Sequence, residues 1–185
     1  MEAFVYVAAR PGTVEDVYAQ IVASRGVRHA DMVIGDWDVL VTVHGADMAS
    51  IALDILRTID RIDGVARTMT VPVVPAEVLG LVDSGVVAVP VQRTGEACIV
   101  RVRTTPQATT RIFNELAEMD EVAGVAIVAG EEDVVVEIPV PWNRAAQFVI
   151  DRVMTMDGVL STNTLIALPS LPVDDTDRDQ FSAWS

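Results

Sequence analysis

Apolar residues along this chain switch between two spacings, and the switching order occurs twice. β-Branched and aromatic runs at Ala3 to Ala9, Val27 to Ile34, Asp36 to Val43 and Val65 to Val74 read as strands. Between the first two, Val14, Val17, Tyr18 and Ile21 recur at helical spacing, predicting a helix from Thr13 to about Ser24. Thr13 and Asp16 stand at the positions of a capping box, and Gly26 ends the segment. Met48, Ile51, Ile55, Ile59 and Ile62 stripe a second helix over Asp47 to Ile62, stopped by Asp63-Gly64. The order is β-α-β-β-α-β, a split βαβ or ferredoxin-like unit.

The second half repeats that order. Ala97 to Thr104 reads as a strand. Pro106 to Met119 reads as a helix striped by Ala108, Ile112, Leu116 and Met119. Val122 to Ala129 and Glu132 to Ile138 form a hairpin. Asn143 to Met156 is a helix striped by Ala145, Val149, Val153 and Met156, and Val159 to Leu168 is the last strand. The hairpin turn Gly35-Asp36-Trp37-Asp38 returns as Gly130-Glu131-Glu132-Asp133, an offset of 95 positions (130 − 35). After the third strand the offset falls to 94, the change of one residue that a loop tolerates. The chain is therefore read as a tandem duplication.

The repeats are expected to meet through their sheets. Strict alternation in the third strand puts Trp37, Val39, Val41 and Val43 on one side and Asp38, Leu40, Thr42 and His44 on the other. The second side is mixed in polarity and too apolar to leave in water across a whole sheet. The fold class is thus α+β, with two tandem ferredoxin-like (βαββαβ) repeats packed sheet to sheet as a barrel-like pseudo-dimer. Its parts are the first repeat at 1–75, a connecting segment at 76–96, the second repeat at 97–171 and an acidic tail at 172–185. Val86 to Val91 in the connecting segment predicts an extra edge strand blunted by Pro90. Phe181 and Trp184 are candidates to anchor the tail.

Composition narrows the function classes. A net charge of −14 disfavours direct contact with nucleic-acid phosphates and anionic membranes. Apolar runs fall short of a membrane span, and Met1 to Phe4 has no secretory pattern, so a cytoplasmic location is expected. The single cysteine, Cys98, allows no internal disulfide and fits a buried strand. His29 and His44 form no ligand cluster, so no metal or other cofactor is expected. Phosphate-binding glycine loops and nucleophile elbows are absent from the sequence.

The hairpin Gly35 to Val41 resembles the Gly-x-aromatic-Asp hairpin of the effector-binding (RAM) domain of the Lrp/AsnC family. Ile62 to Thr70 is similar to that family's closing helix, Gly-Val and Thr-x-Thr strand. Gly130 to Val136 and Met156 to Thr164 carry both motifs again, with Glu132 where the aromatic is expected. The resemblance covers nearly everything but the connecting segment and the tail. It implies a dimeric α/β barrel that binds amino acids or similar small molecules at subunit interfaces. No DNA-binding helix-turn-helix is read in this sequence, so the expectation is a non-enzymatic, stand-alone sensing and oligomerisation module. Its expected partners are a small-molecule effector such as an amino acid, further copies of the chain, and a partner regulator.

Candidate ligand-binding residues follow. Asp38 and Asp133 are candidates to accept a ligand ammonium, with Gly35 and Gly130 allowing close backbone approach, and Asp36 of the same turn is a further ligand-binding candidate. The alternative for each Asp is a hydrogen bond to its own turn. Thr68, Thr70, Thr162 and Thr164 are candidates to bind a carboxylate, against simple β-propensity. A different class also stays open: an enzyme such as a small monooxygenase, or a haem handler, with a polar group such as His44 or Thr42 facing a cavity between the sheets.

Overall fold

The computed structural model describes residues 1–75, Val78 and 96–168. The proposed edge strand at Val86 to Val91 and the anchoring role of Phe181 and Trp184 lie outside the described residues. The first repeat runs β1 (Glu2–Ala9), α1 (Val14–Val22), β2 (Val27–Ile34), β3 (Val39–His44), α2 (Met48–Arg57) and β4 (Val65–Pro72). The second runs β5 (Ala97–Thr104), α3 (Thr109–Ala117), β6 (Gly124–Ile127), β7 (Val134–Ile138), α4 (Trp142–Phe148) and β8 (Val159–Ala167). Both repeats are thus the ferredoxin-like unit that the hydrophobic pattern predicts.

All strand pairs are antiparallel, in the order β4-β1-β3-β2-β8-β5-β7-β6. Each repeat contributes a four-stranded sheet, and the sheets join at their edges. At one seam Val33 pairs with Ala167 and Ile34 with Ile166, and Leu168 N–H donates to the Met32 carbonyl at 2.9 Å. At the other, Val73 bridges Val128, flanked by bonds from Val74 N–H to Ile127 and from Ala129 N–H to Pro72. Val33 and Val128 are 95 positions apart, and Val73 and Ala167 are 94 apart. The seams are therefore equivalent under a pseudo-twofold axis, and together they close the eight strands into a barrel. Closure removes the free sheet face that two separate repeats would expose.

Three apolar cores result. Val5, Val7, Val39, Val41 and Val43 pack under α1 and α2 with Val17, Ile21, Ile51 and Ile55. Val100, Val102, Val134 and Val136 pack under α3 and α4 with Ile112, Leu116, Ala145 and Val153. The third core fills the barrel with Phe4, Tyr6, Trp37, Leu40, Val71, Ile99, Val135 and Leu165. Alternation along β1 produces this division, since Phe4 and Tyr6 point inward while Val5 and Val7 point to the helices.

Several local expectations are corrected. Trp37 does not share a side with Val39, Val41 and Val43; it lies in the barrel core with Leu40. The reason is that Trp37 belongs to the turn rather than the ladder, and the strand begins only at Val39. Thr13 makes no capping bond to the first turn of α1, because its hydroxyl donates back to the Arg10 carbonyl. The capping box appears at α2 instead, where Asp47 accepts from Ser50 N–H at 2.7 Å and Ser50 Oγ accepts from Asp47 N–H at 3.2 Å. The second helix is also broken, ending at Arg57 and resuming as a 3-10 turn over Ile59–Arg61. The last helix opens into a π turn at Val149–Val153, closed by Met154 N–H to Val149 carbonyl at 2.8 Å. That extra residue in the turn lets Phe148, Val149 and Val153 all face the core.

Candidate functional site

The duplicated hairpins sit at equivalent places. A Cβ added at Gly35 would lie 2.5 Å from Leu165 Cδ2 and 3.5 Å from the Thr164 carbonyl. One added at Gly130 would lie 3.0 Å from Val71 Cγ1. Each hairpin turn therefore packs on the final strand of the other repeat, closely enough that a side chain at either glycine would crowd it. The geometry brings Gly35 and Asp36 to β8, which carries Thr162 and Thr164. It brings Gly130 to β4, which carries Thr68 and Thr70.

The side chains of those candidates take different directions. Asp38 Oδ2 accepts from Ala9 N–H at 2.8 Å, and Asp133 Oδ2 accepts from Thr104 N–H at 2.7 Å. Ala9 and Thr104 are also 95 positions apart, so both carboxylates hold the end of the first strand of their own repeat. Thr68 and Thr70 stand opposite Val7 and Val5, and Thr162 and Thr164 opposite Val102 and Val100. Those valines belong to the helix-covered cores, so the four hydroxyls share the helix side of the sheet. Thr68 Oγ1 donates to Asp60 Oδ1 at 2.8 Å.

One polar cluster inside the barrel lies at the pseudo-twofold axis. Tyr6 and Arg101 occupy equivalent positions, as do Trp37 and Glu132. In the first repeat Tyr6 packs on Trp37, ring centroids 5.9 Å apart. In the second, Arg101 Nη1 lies 3.6 Å from Glu132 Oε1. One repeat thus uses an aromatic pair where the other uses an ion pair, which accounts for Glu132 at the aromatic position. The two pairs meet, with the Arg101 guanidinium carbon 5.1 Å from the Tyr6 ring centroid. The Arg67 guanidinium carbon lies over the Trp37 ring, 4.1 Å from its centroid. The hairpin residue Asp36 reaches across the repeats, both carboxylate oxygens accepting from Arg101 Nη2 at 2.7 and 2.6 Å.

Burial makes this cluster electrostatically distinct. Arg101 is 2% exposed, whereas Asp36 is 46% exposed. Desolvation drives the Tyr6 phenol well above its ordinary pKa; Arg101 opposes that rise, and Glu132 and Asp36 add to it. Neither Tyr6 Oη nor Arg101 Nε has a hydrogen-bond partner among the described residues. Tyr6, Arg101 and Arg67 were not among the sequence candidates. Their signal is the paired exchange of Tyr6 and Trp37 for Arg101 and Glu132 between repeats, visible only when both positions are compared together.

His29 Nε2 is 3.0 Å from Asp31 Oδ1, Asp31 is buried, and Thr42 is buried against Phe4. His44 is exposed at the end of β3. No group of three metal-ligating side chains occurs among the described residues, and none of their helices is long and apolar enough to cross a membrane.

A closed eight-stranded antiparallel barrel made of two ferredoxin-like halves, with helices outside, is a dimeric α/β-barrel architecture condensed into one chain. The model of the Lrp/AsnC ligand-binding domain matches residues 2–77 and again 97–176, and the chain belongs to that family. No curated protein sequence matches it. Among solved structures, the siroheme decarboxylase NirDL is similar over 90% of this chain and 71% of its own, at 9% identity and a TM-score of 0.64. That likeness is one of fold. AsnC of Escherichia coli is 16% identical over 69% of this chain and 76% of its own, with a TM-score of 0.38. A transcriptional regulator from Neisseria meningitidis in complex with L-Met is 19% identical over 54% of this chain and 72% of its own, with a TM-score of 0.36.

Proposed function

We propose that this chain is an effector-sensing and oligomerisation module that binds a small, amino-acid-like molecule where one repeat's hairpin meets the other repeat's last strand. The observation that carries this reading is the composite construction of both mouths. Gly35 packs on Leu165 and Gly130 on Val71, so each site needs both repeats in the closed barrel. A ligand bridging such a junction favours the closed form by its differential affinity, which is the physical requirement for sensing. Family membership and the regulators among the structural relatives support the same class. A net charge of −14 argues against DNA as the direct partner, so a response would pass through further copies or a partner regulator.

Thermal unfolding against a panel of the twenty amino acids tests the reading. A ligand that binds only the folded state adds RT ln(1 + [L]/Kd), about 2.7 kcal/mol at 100 Kd. The expected result is a selective rise in Tm with a change in assembly size on light scattering. Absence of any shift at millimolar concentration defeats the amino-acid reading.

A second reading, an enzyme or haem handler of the wider barrel group, draws on the His29–Asp31 pair at 3.0 Å. It predicts a haem absorption band on reconstitution that His29→Ala abolishes.

A further inference from the structure

Arg101 is a buried cation whose hydrogen-bonding capacity is poorly used. A guanidinium offers five N–H donors in a planar fork and binds a carboxylate best through two nitrogens at once. Here both Asp36 oxygens engage the single nitrogen Nη2. Nη1 stands 3.6 Å from Glu132, an ion pair rather than a short hydrogen bond, and Nε has no partner among the described residues. Tyr6, whose ring centroid lies 5.1 Å from the guanidinium carbon, carries in Oη a second buried donor without a partner among the described residues. Asp36 is tethered in a turn packed on Leu165, which restrains its approach to Arg101. An untethered carboxylate has no such restraint and can take the two-nitrogen geometry.

We propose that Arg101 is the carboxylate-binding group of this molecule, and that Asp36 occupies it as a built-in competitor that an effector's carboxylate displaces. The inference rests on the effector-sensing reading and names the chemistry of its site. Asp36 lies on the solvent side of Arg101, so its departure opens the guanidinium without opening the barrel. The incoming carboxylate accepts from two Arg101 nitrogens, over the ring of Tyr6. Local charge selects the ligand class. Arg101 with Asp36 and Glu132 carries one net negative charge, so a simple carboxylate adds a second to a largely desolvated site. A zwitterion adds none, and its ammonium finds Glu132 as an acceptor. The ligand class is therefore a small α-amino acid, and its binding frees the Gly35–Asp36 turn from the second repeat.

Calorimetric titration of the panel amino acid that gives the largest Tm rise, into the wild-type protein and into Asp36→Ala, tests this. Asp36 is in an exposed turn, so the variant is expected to fold. Removing a competitor that fills the site about nine-tenths of the time tightens apparent affinity about tenfold. The carboxamide of the same amino acid, lacking the carboxylate, should bind neither protein. Weaker or unchanged binding by Asp36→Ala, or equal binding of the carboxamide, overturns the inference while leaving the sensing reading intact. Absence of binding to both proteins by every amino acid overturns both.

Discussion

Tyr6 and Arg101 stand at the same position of the two repeats and lie against each other, the guanidinium carbon 5.1 Å from the ring centroid. Equivalent residues touch only near the axis that relates the repeats, so this contact marks the centre of the pseudo-dimer. A symmetric dimer would place two identical side chains there, Tyr on Tyr or Arg on Arg. Fusion into one chain removes that constraint. A cation over an aromatic face is attractive, whereas two desolvated guanidinium groups repel.

The exchange between repeats gives a coupling test. Arg101→Tyr alone strands Glu132 and Asp36 without their cation. Glu132→Trp alone removes one of the two carboxylates beside Arg101. Breaking a buried charge pair from one side costs about 3–5 kcal/mol. The double substitution rebuilds in the second repeat the aromatic pair that the first repeat already has. Its loss of stability in urea should be smaller than the sum of the single losses, with a coupling of about 1–3 kcal/mol. Additive losses would show that the two positions act independently.

Asp38→Ala and Asp133→Ala remove equivalent strand-end bonds. Each takes away the acceptor for one N–H, Ala9 in one case and Thr104 in the other, and Asp133→Ala also takes away the acceptor of the Thr104 hydroxyl at 3.3 Å. A buried donor left unsatisfied costs about 1–3 kcal/mol. A loss in Asp133→Ala at least as large as in Asp38→Ala, and a double variant close to their sum, would be seen in urea titrations, since the sites share no partner. An affinity loss for an effector without a stability loss would assign these carboxylates to the ligand instead.

Two glycines of similar backbone angle separate conformational cost from steric cost. Gly12 has φ +82° with nothing near a would-be Cβ, and Gly158 has φ +86° with the Ala108 Cβ in the way. Gly12→Ala should cost about 1–2 kcal/mol, the penalty of a left-handed non-glycine residue. Gly158→Ala should cost about 1–3 kcal/mol more, because α3 must shift. Comparison of denaturant midpoints measures both.

Burial in the second helix-covered core, chiefly by desolvation and secondarily through Glu96, pushes the Cys98 thiol up to about 11 from its ordinary 9.0. The sign of the linkage follows. Between those values the unfolded chain has lost a proton that the folded chain keeps, so stability falls as pH rises from about 9 to 11. Cys98→Ala should flatten that limb of the pH profile. At pH 8 the native thiol should resist alkylation at a rate set by unfolding, and prompt labelling would contradict its burial.

Two kinds of residue explain how much was readable. Ile51 and Ile55, or Val100 and Val102, announce their elements because helical and strand periods act over a few neighbouring positions. Trp37 departs from the pattern for the same reason: it stands two residues before the strand begins at Val39, in a turn whose direction depends on packing against Tyr6. The threonines of β4 and β8 were picked out by residue type, and type carries no information about which face a strand buries.

The sequence by itself determined the duplication, the element order of both repeats and the positions of the two hairpins, because these depend on local periodicity and on a fixed offset. Only the tertiary structure decided that the two sheets join at Val33–Ala167 and Val73–Val128 to close a barrel. With closure came the meeting of Asp36 and Arg101, 65 residues apart. Neither residue is unusual within its own segment. Their pairing is a property of the closed barrel, where a charge excluded from water must take whichever counter-charge the other repeat brings within reach.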